Sequence, residues 1–279
     1  MRRLPCPTVT AKEILDLCIE SIQDSSLKNR LQNVTPLIET AEQNYVSKGA
    51  LGTLHDIAGT SDVGGEVTTA EMKRVYNGTF VKSKRTRNIY DTIKKAPEND
   101  TCPLCGQRTV STLDHYLPQT NHPFLVTTAP NLVPACAECN FIKRAQEAAS
   151  QEEQTLHPYF DVVEADRWLF AKVIEKRPAA LTFSANPPRN WGGLGQRIET
   201  HFRVFQLAPL YASHAAVEIN DIRFALERIL RSGSAQTVRE HLAEQARSRA
   251  QAQMNSWQRA TYEALATSDW FCEGGFLPE

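Results

Sequence analysis

Two Cys-x-x-Cys pairs constrain this chain more than any other feature of its sequence. Cys102 and Cys105 form the first pair, Cys136 and Cys139 form the second, and thirty residues lie between the pairs. Paired thiolates favour a closed tetrahedral zinc site, because zinc is a borderline-soft cation that cysteine sulfur binds well. Four sulfurs leave no open position for a substrate, so we predict a structural zinc ion that ties two distant segments together. The alternative is four unrelated buried cysteines, and the paired spacing argues against it.

The composition excludes several classes of protein. The chain has 279 residues, 41% of them hydrophobic, and 31 Lys+Arg stand against 32 Asp+Glu. Collagen-like, disordered and coiled-coil chains have a different composition. No apolar run approaches the roughly 18–20 residues of a membrane helix, and no signal-peptide apolar region follows the N-terminus. We therefore expect a cytoplasmic protein without a membrane partner, whose cysteines bind metal or remain free thiols rather than form disulfides.

The N-terminal region predicts amphipathic helices. Thr10 and Glu13 have the spacing of a capping box ahead of an apolar helix face, and Thr68 and Glu71 repeat that spacing. Pro36 lies in the second helical pattern, where its ring removes a backbone donor. We therefore predict helices that begin at both capping boxes, and a second helix that Pro36 interrupts or restarts.

Three consecutive regions follow from the patterns along the chain. We predict a helical region at residues 1–97, a small core with the four cysteines at 98–160, and a hairpin with further helices at 161–279. The hairpin prediction comes from two strand-like runs, residues 168–174 and 180–185, which a short turn joins. The expected fold class is α+β, in a mainly helical chain.

A basic segment at residues 73–95 precedes the first cysteine pair. Its basic residues are offset by a single carboxylate, Asp91. The simpler interpretation is a solvated face, whereas the position beside the cysteines favours a surface that contacts phosphates. The candidate phosphate-binding residues in this segment are Lys82, Lys84, Arg85 and Arg87.

The segment between and around the cysteine pairs carries candidate catalytic residues. Asp114 and His115 are adjacent on a strand-like run, Asn131 precedes the second pair, and Asn140 follows Cys139 directly. His115 titrates near neutrality and can accept a proton from water. Adjacent residues on a strand point to opposite faces, so we expect Asp114 to face a hard divalent cation while His115 faces the attacking water.

This order of residues resembles the HNH endonuclease family, whose ββα-metal motif is often framed by a four-cysteine zinc site. The resemblance implies a central ββα-metal and zinc-ribbon core, a nuclease activity, and Mg²⁺ or Mn²⁺ held by Asp114 and Asn140. Asn140 stands where the family often has His, which leaves the metal preference open. The resemblance also implies that Asn131 holds the loop that bears the general base, although a plain turn residue is the alternative.

Two more residues and two flanking segments extend this interpretation. Lys143 lies three residues after Asn140 on a similar face of the same predicted helix, and both Lys143 and Arg144 are candidate phosphate contacts. Residues 156–161 and 255–257 are similar to stretches in the nuclease subunit of Septu-type bacterial antiphage defence systems. That resemblance implies an ATPase partner that gates the nuclease.

Two functions compete at this point. The first is a metal-dependent endonuclease, with DNA favoured as the substrate. The second is a non-catalytic zinc module that binds nucleic acid or a partner protein. The Asp114-His115 pair and Asn140 favour the nuclease, because a binding ribbon does not need those residue types there. The net charge of −1 predicts weak non-specific affinity for nucleic acid and therefore agrees with a gated enzyme.

Overall fold

The computed structural model describes residues 2–144 and 147–278, and the chain divides into two compact units. The first unit is Met1–Asp161 and the second is Val162–Glu279. Helices predominate in both units, and the strands of the described residues form small two-stranded antiparallel sheets. The predicted α+β class is confirmed.

The helices of the first unit begin where the sequence places their caps. Thr10 and Thr68 each accept a hydrogen bond from the backbone N–H three residues later, and the side chains of Glu13 and Glu71 return the bond, so both predicted capping boxes are confirmed. A π-helical turn, Val75–Phe80, continues the third helix. The α-helices are α1 (Ala11–Ser21), α2 (Ser25–Leu51), α3 (Thr69–Arg74), α4 (Arg87–Lys94) and α5 (Ala137–Lys143).

The predicted break at Pro36 is wrong, because α2 runs through it. A proline inside a helix costs roughly 3 kcal/mol. Buried Leu31 and Val34 before the proline and buried Ile38 after it pack into the same core, and this shared apolar face holds both halves in line. The hydroxyl of Thr35 also donates to the Leu31 carbonyl at 2.9 Å, one turn back.

A β–β–α arrangement occupies the centre of the first unit. Strand β3 (Thr112–His115) pairs antiparallel with β4 (Leu132–Ala135), and α5 begins two residues after β4. Asp114 stands opposite Val133 in the register. The remaining strands of this unit, β1 (Asp62–Val63) and β2 (Val67–Thr68), form a short hairpin before α3.

One hydrophobic core joins these elements within the first unit. Its buried side chains come from α1, α2, the π-helical turn and α4, and also from the β3–β4 region, where Leu113, Val126 and Leu132 contribute. The helical N-terminal segment therefore packs directly against the strand that carries Asp114 and His115.

The second unit contains the predicted hairpin. Strands β5 (Leu169–Ile174) and β6 (Ala180–Ala185) pair antiparallel in full register, which confirms the hairpin. No helix of the described residues is both long and apolar enough to cross a membrane. The helices of this unit are α6 (Gly193–Val204), α7 (Leu207–Ser232), α8 (Ala235–Ala252) and α9 (Trp257–Thr267).

Candidate active site

The four paired cysteines come together in the first unit. The Sγ atoms of Cys102, Cys105, Cys136 and Cys139 all lie within 4.8 Å of one another, and all four side chains are buried. Tetrahedral zinc with bonds of about 2.3 Å separates its sulfur ligands by roughly 3.8 Å, which this cluster can satisfy. The predicted clustering is confirmed, and the four thiols fit a structural zinc ion.

A turn positions the first pair of sulfur atoms, and the start of a helix positions the second pair. Gly106, at φ +64°, closes the turn of the first pair, and its N–H donates to the Cys102 carbonyl at 2.8 Å. Cys136 caps the start of α5, and the Cys139 N–H donates to the Cys136 Sγ at 3.4 Å. N–H donors aimed at sulfur favour thiolate. Because the first pair precedes β3 and the second begins α5, a zinc ion here ties both ends of the β–β–α unit together.

His115 lies at the end of β3 with its imidazole buried. Its Nε2 is 3.1 Å from the carbonyl oxygen of Val126, and its ring meets the edge of the Tyr76 ring at 4.5 Å between centroids. A carbonyl oxygen only accepts, so Nε2 carries the proton and Nδ1 keeps a lone pair. Burial lowers the pKa of His115 to about 4. The imidazole is therefore neutral at physiological pH and has one nitrogen able to take up a proton.

Asp114 is buried as well, and Lys143 pairs with it. The Lys143 Nζ is 3.1 Å from the Asp114 Oδ2 and donates to the His115 carbonyl at 2.8 Å. The sequence predicts Lys143 as a phosphate contact, whereas in the structure its ammonium is buried at the C-terminal end of α5. Burial raises the pKa of Asp114, and the Lys143 charge opposes that rise. The pair exists because a buried carboxylate requires a counter-charge.

Asn131 holds the loop between β3 and β4. Its Oδ1 accepts from the Leu117 N–H at 2.8 Å, and its Nδ2 donates to the carbonyls of Leu117 and Leu125 at 3.1 and 3.2 Å. The side chain is fully buried, and Leu125 immediately precedes Val126. Asn131 thus fixes the backbone that presents the Val126 carbonyl to His115.

A cavity of about 520 Å³ brings three of the four candidate catalytic residues together. Asp114, His115 and Asn140 line it, and so does Arg144. The Arg144 guanidinium stacks 4.3 Å from the ring centre of Phe141, another lining residue, whose side chain is 65% exposed. Among its described lining residues, the cavity thus has one carboxylate, one imidazole and several side-chain amides in its wall, together with one arginine.

The basic side chains of the segment do not line this cavity, although uncharged residues of the same segment, such as Tyr76, do. Arg85 pairs with Glu20 at 3.1 Å, and Arg87 pairs with Asp91 at 2.9 Å. Lys82 and Lys84 are exposed and pair with no carboxylate in the part of the chain that the structure describes. Lys82 and Lys84 are therefore two unneutralised cations, whereas Arg85 and Arg87 are engaged by carboxylates.

The donor set at the cavity suits a hard cation better than a soft one. Asp114 offers carboxylate oxygen and Asn140 offers amide oxygen, which Mg²⁺ and Mn²⁺ accept. Among the described residues, the four-cysteine cluster is the sole grouping of three or more His, Cys, Asp or Glu donors. In the described part of the chain, Asp114 is the one carboxylate that lines the cavity, so a divalent ion there would need most of its ligand oxygens from other sources.

Two histidines outside the cavity, His122 and His157, have structural partners. His122 is buried with Nε2 at 2.7 Å from Glu147 Oε1, and burial lowers the pKa of His122. His157, in the segment 156–161, has Nε2 at 3.0 Å from the Tyr45 Oη. In the same segment Tyr159 Oη donates to the Leu132 carbonyl at 2.8 Å. These contacts anchor the end of the first unit against α2 and β4.

No pattern in the sequence predicts that three further residues, Val126, Tyr76 and Gln119, belong to the site. Val126 contributes only a backbone carbonyl, and Tyr76 belongs to an apolar helix pattern that predicts core packing. Gln119 lines the cavity, and its Oε1 is buried without a hydrogen-bond partner among the described residues. Each depends on a non-local approach of backbone, ring or amide, so only the tertiary structure reveals it.

Comparison with known proteins gives one full-length similarity. No protein-family model matches the chain, and no solved structure matches it. The chain is similar to Protein ea31 of Escherichia phage lambda, with 27% identity over 296 residues. The similarity covers 98% of this chain and 100% of the phage protein, whose name describes no activity. It therefore extends over both units and leaves the function to be argued from the site.

Proposed function

We propose that this chain is a metal-dependent endonuclease of the HNH type that hydrolyses phosphodiester bonds, with DNA as the favoured substrate. The observation that carries the proposal is the hydrogen bond between His115 Nε2 and the Val126 carbonyl, in the wall of a cavity that Asp114 and Asn140 also line. It leaves Nδ1 as the proton acceptor of the imidazole. A purely structural histidine has no need of such neighbours.

In the proposed reaction His115 acts as the general base. Nδ1 takes a proton from the water that attacks phosphorus, and the Val126 carbonyl stabilises the resulting imidazolium through Nε2–H. The low pKa of His115, about 4, keeps the base unprotonated before the reaction. A divalent cation held by Asp114 and Asn140 would supply stabilisation of negative charge on the phosphate and the leaving oxygen. Arg144 contacts a flanking phosphate from the cavity wall.

A nicking assay tests the proposal directly. Supercoiled plasmid is incubated with the protein and Mg²⁺ or Mn²⁺, and His115→Ala is compared with wild type. We expect the loss of one general base to slow nicking by about 10²–10⁴-fold. His55→Ala, at a histidine outside the cavity-lining set, is the matched control and keeps wild-type activity. Equal rates for wild type and His115→Ala would remove the nuclease assignment.

The alternative function is a non-catalytic zinc module that binds nucleic acid or a partner protein. One observation favours it, because the Asp114 carboxylate already has a counter-charge in Lys143 at 3.1 Å. A zinc module of this kind would bind its partner equally well after His115→Ala and in the absence of Mg²⁺ or Mn²⁺. A nuclease would show metal-dependent turnover that His115→Ala abolishes.

The proposal includes a gated enzyme in bacterial antiphage defence, with an ATPase partner. Its supports are the Septu-type resemblance and the net charge of −1, which gives weak non-specific affinity for DNA. Co-expression with an ATPase encoded beside the gene tests the partner, and co-elution with raised nicking is the expected result. Full activity of the lone chain would contradict the gating.

Plaque counts with wild type and His115→Ala test the defence role.

A further inference from the structure

The Lys143 ammonium occupies the position next to the carboxylate that the proposed cation needs. Its Nζ lies 3.1 Å from Asp114 Oδ2 and 2.8 Å from the His115 carbonyl oxygen, and it is 5.7 Å from the centre of the Tyr116 ring. Both charged side chains are almost fully buried, at 6% exposed for Lys143 and 8% for Asp114. This contact is therefore poorly screened by water and by salt.

The charge balance of the cavity limits what else can bind there. Asp114 is the one carboxylate among the residues that line the cavity, and Lys143 neutralises it. Arg144 adds a further positive charge to the same wall. A divalent ion that joins this set meets an excess of positive charge, unless anionic oxygens arrive with it. Phosphate groups of a nucleic acid supply such oxygens.

We infer that Lys143 is a resident cation that holds Asp114 in position and keeps affinity for divalent metal low until nucleic-acid phosphate arrives. The metal displaces the ammonium from Asp114, while Lys143 keeps its hydrogen bond to the His115 carbonyl or turns towards the incoming phosphate. Metal and nucleic acid then bind cooperatively, because the binding of each lowers the electrostatic cost of binding the other. The inference rests on the proposed cation site and names its regulation.

Lys143 is a positioning residue in this scheme, for two reasons. It sits one helical turn after Asn140 on α5, so a single short helix carries both the amide oxygen and the competing ammonium. Its bond to the His115 carbonyl ties α5 to the end of β3, beside the general base. Removal of its charge therefore acts on metal affinity, whereas removal of its bulk loosens the packing.

Binding of Mn²⁺ to the zinc-loaded full chain tests the inference without any turnover. Free Mn²⁺ is counted by electron paramagnetic resonance during titration, in the absence of nucleic acid. We expect Lys143→Gln to bind Mn²⁺ about tenfold more tightly than wild type, since one opposing charge is gone. Lys143→Arg keeps the charge and retains weak binding. Lys12→Gln, which removes an exposed lysine paired with Asp16, is the matched control and leaves affinity unchanged.

A 12-nucleotide single strand with a non-hydrolysable backbone tests the coupling. It tightens Mn²⁺ binding to wild type and has a smaller effect on Lys143→Gln. Thermal unfolding gives a second readout, in which Mn²⁺ raises the melting temperature of Lys143→Met more than that of wild type. Methionine leaves Asp114 buried without its counter-charge until the metal binds.

Asp114→Asn separates failure of the inference from failure of the proposed function. If Asp114→Asn loses Mn²⁺ binding while Lys143→Gln binds no more tightly than wild type, the resident-cation role is overturned and the cation site stands. If Asp114→Asn binds Mn²⁺ as wild type does, the cation site itself is absent and both proposals are overturned. Undetectable binding in wild type and Lys143→Gln alike also overturns the inference.

Discussion

Asn131 and Leu117 form two hydrogen bonds. The side-chain amide of Asn131 pairs with the backbone N–H and carbonyl of Leu117, as the backbone of a neighbouring strand would. Oδ1 accepts from the Leu117 N–H at 2.8 Å, and Nδ2 donates to the Leu117 carbonyl at 3.1 Å. A third bond to the Leu125 carbonyl, at 3.2 Å, fixes the next part of the loop. A single buried side chain thus connects both sides of the loop that follows β3, and the presentation of Val126 to His115 depends on it.

Replacement of Asn131 by Ala should destabilise the first unit by about 2–4 kcal/mol, because buried backbone groups of Leu117 and Leu125 lose their partners. Urea unfolding measures this change. Asn121→Ala, at an exposed asparagine in the same loop, should fall within about 0.5 kcal/mol of wild type. Equal midpoints for the two variants would show that the loop does not depend on the Asn131 amide.

The imidazole of His115 should remain in one neutral tautomer across the physiological pH range. With a pKa of about 4, it should show no titration near pH 6.5, and long-range ¹H–¹⁵N spectra should place the proton on Nε2. His115→Asn identifies the signals by their loss. A midpoint near 6.5, or a proton on Nδ1, would contradict the proposed base.

This burial also has a consequence for stability. The folded pKa of about 4 lies below the ordinary value of 6.5, so unfolding takes up a proton at acid pH. The contribution of the neutral imidazole to the free energy of unfolding is therefore fully present above pH 6.5. It is lost as the pH falls through about 4. Wild type should consequently lose more stability than His115→Asn between these two values.

The chain should contain one zinc ion, and loss of a cysteine ligand should release it. Cys139→Ser weakens zinc binding and lowers the melting temperature of the first unit, because the ion ties the segment before β3 to α5. Cys6→Ser is the matched control, since Cys6 is exposed and lies outside the cluster. Metal analysis by mass spectrometry checks both variants. Equal zinc content in Cys139→Ser and wild type would contradict a four-cysteine site.

Features with a local cause could be predicted from the sequence. The two capping boxes at Thr10 and Thr68 depend on residues three positions apart, and the β5–β6 hairpin depends on two strand-like runs that a short turn joins. The clustering of the cysteines is non-local. It was nevertheless predictable from the paired spacing, because metal coordination imposes a fixed geometry on any chain that carries it.

Features that depend on tertiary partners could not be predicted in this way. The sequence predicts that Lys143 is a surface cation. Only the packing of α5 against β3 shows that its side chain is buried beside Asp114. The partner of His115 is a backbone carbonyl, at Val126, which leaves no trace in residue identity. The helix through Pro36 persists because core packing outweighs the proline penalty, a balance that local rules do not contain.

The second unit has its own buried amide, Asn255, which we expect to be essential for its stability. Its Oδ1 accepts from the N–H groups of Trp168 and Leu169, at 2.8 and 3.3 Å, where β5 begins. Its Nδ2 donates to the carbonyls of Val163 and Asp166, at 3.2 and 2.9 Å. One side chain thus satisfies four backbone groups in the segment that leads into the hairpin.

Asn255→Ala should cost about 2–4 kcal/mol, because it leaves these buried groups without partners. Asn255→Asp should be no better, since a carboxylate oxygen would face the two carbonyls that Nδ2 now serves. Tryptophan fluorescence during urea unfolding follows the change, because the buried Trp168 lies at the site. Asn186→Ala removes an exposed asparagine of the same unit and should have little effect. If Asn255→Ala unfolds at the same urea concentration as Asn186→Ala, the buried amide contributes packing alone.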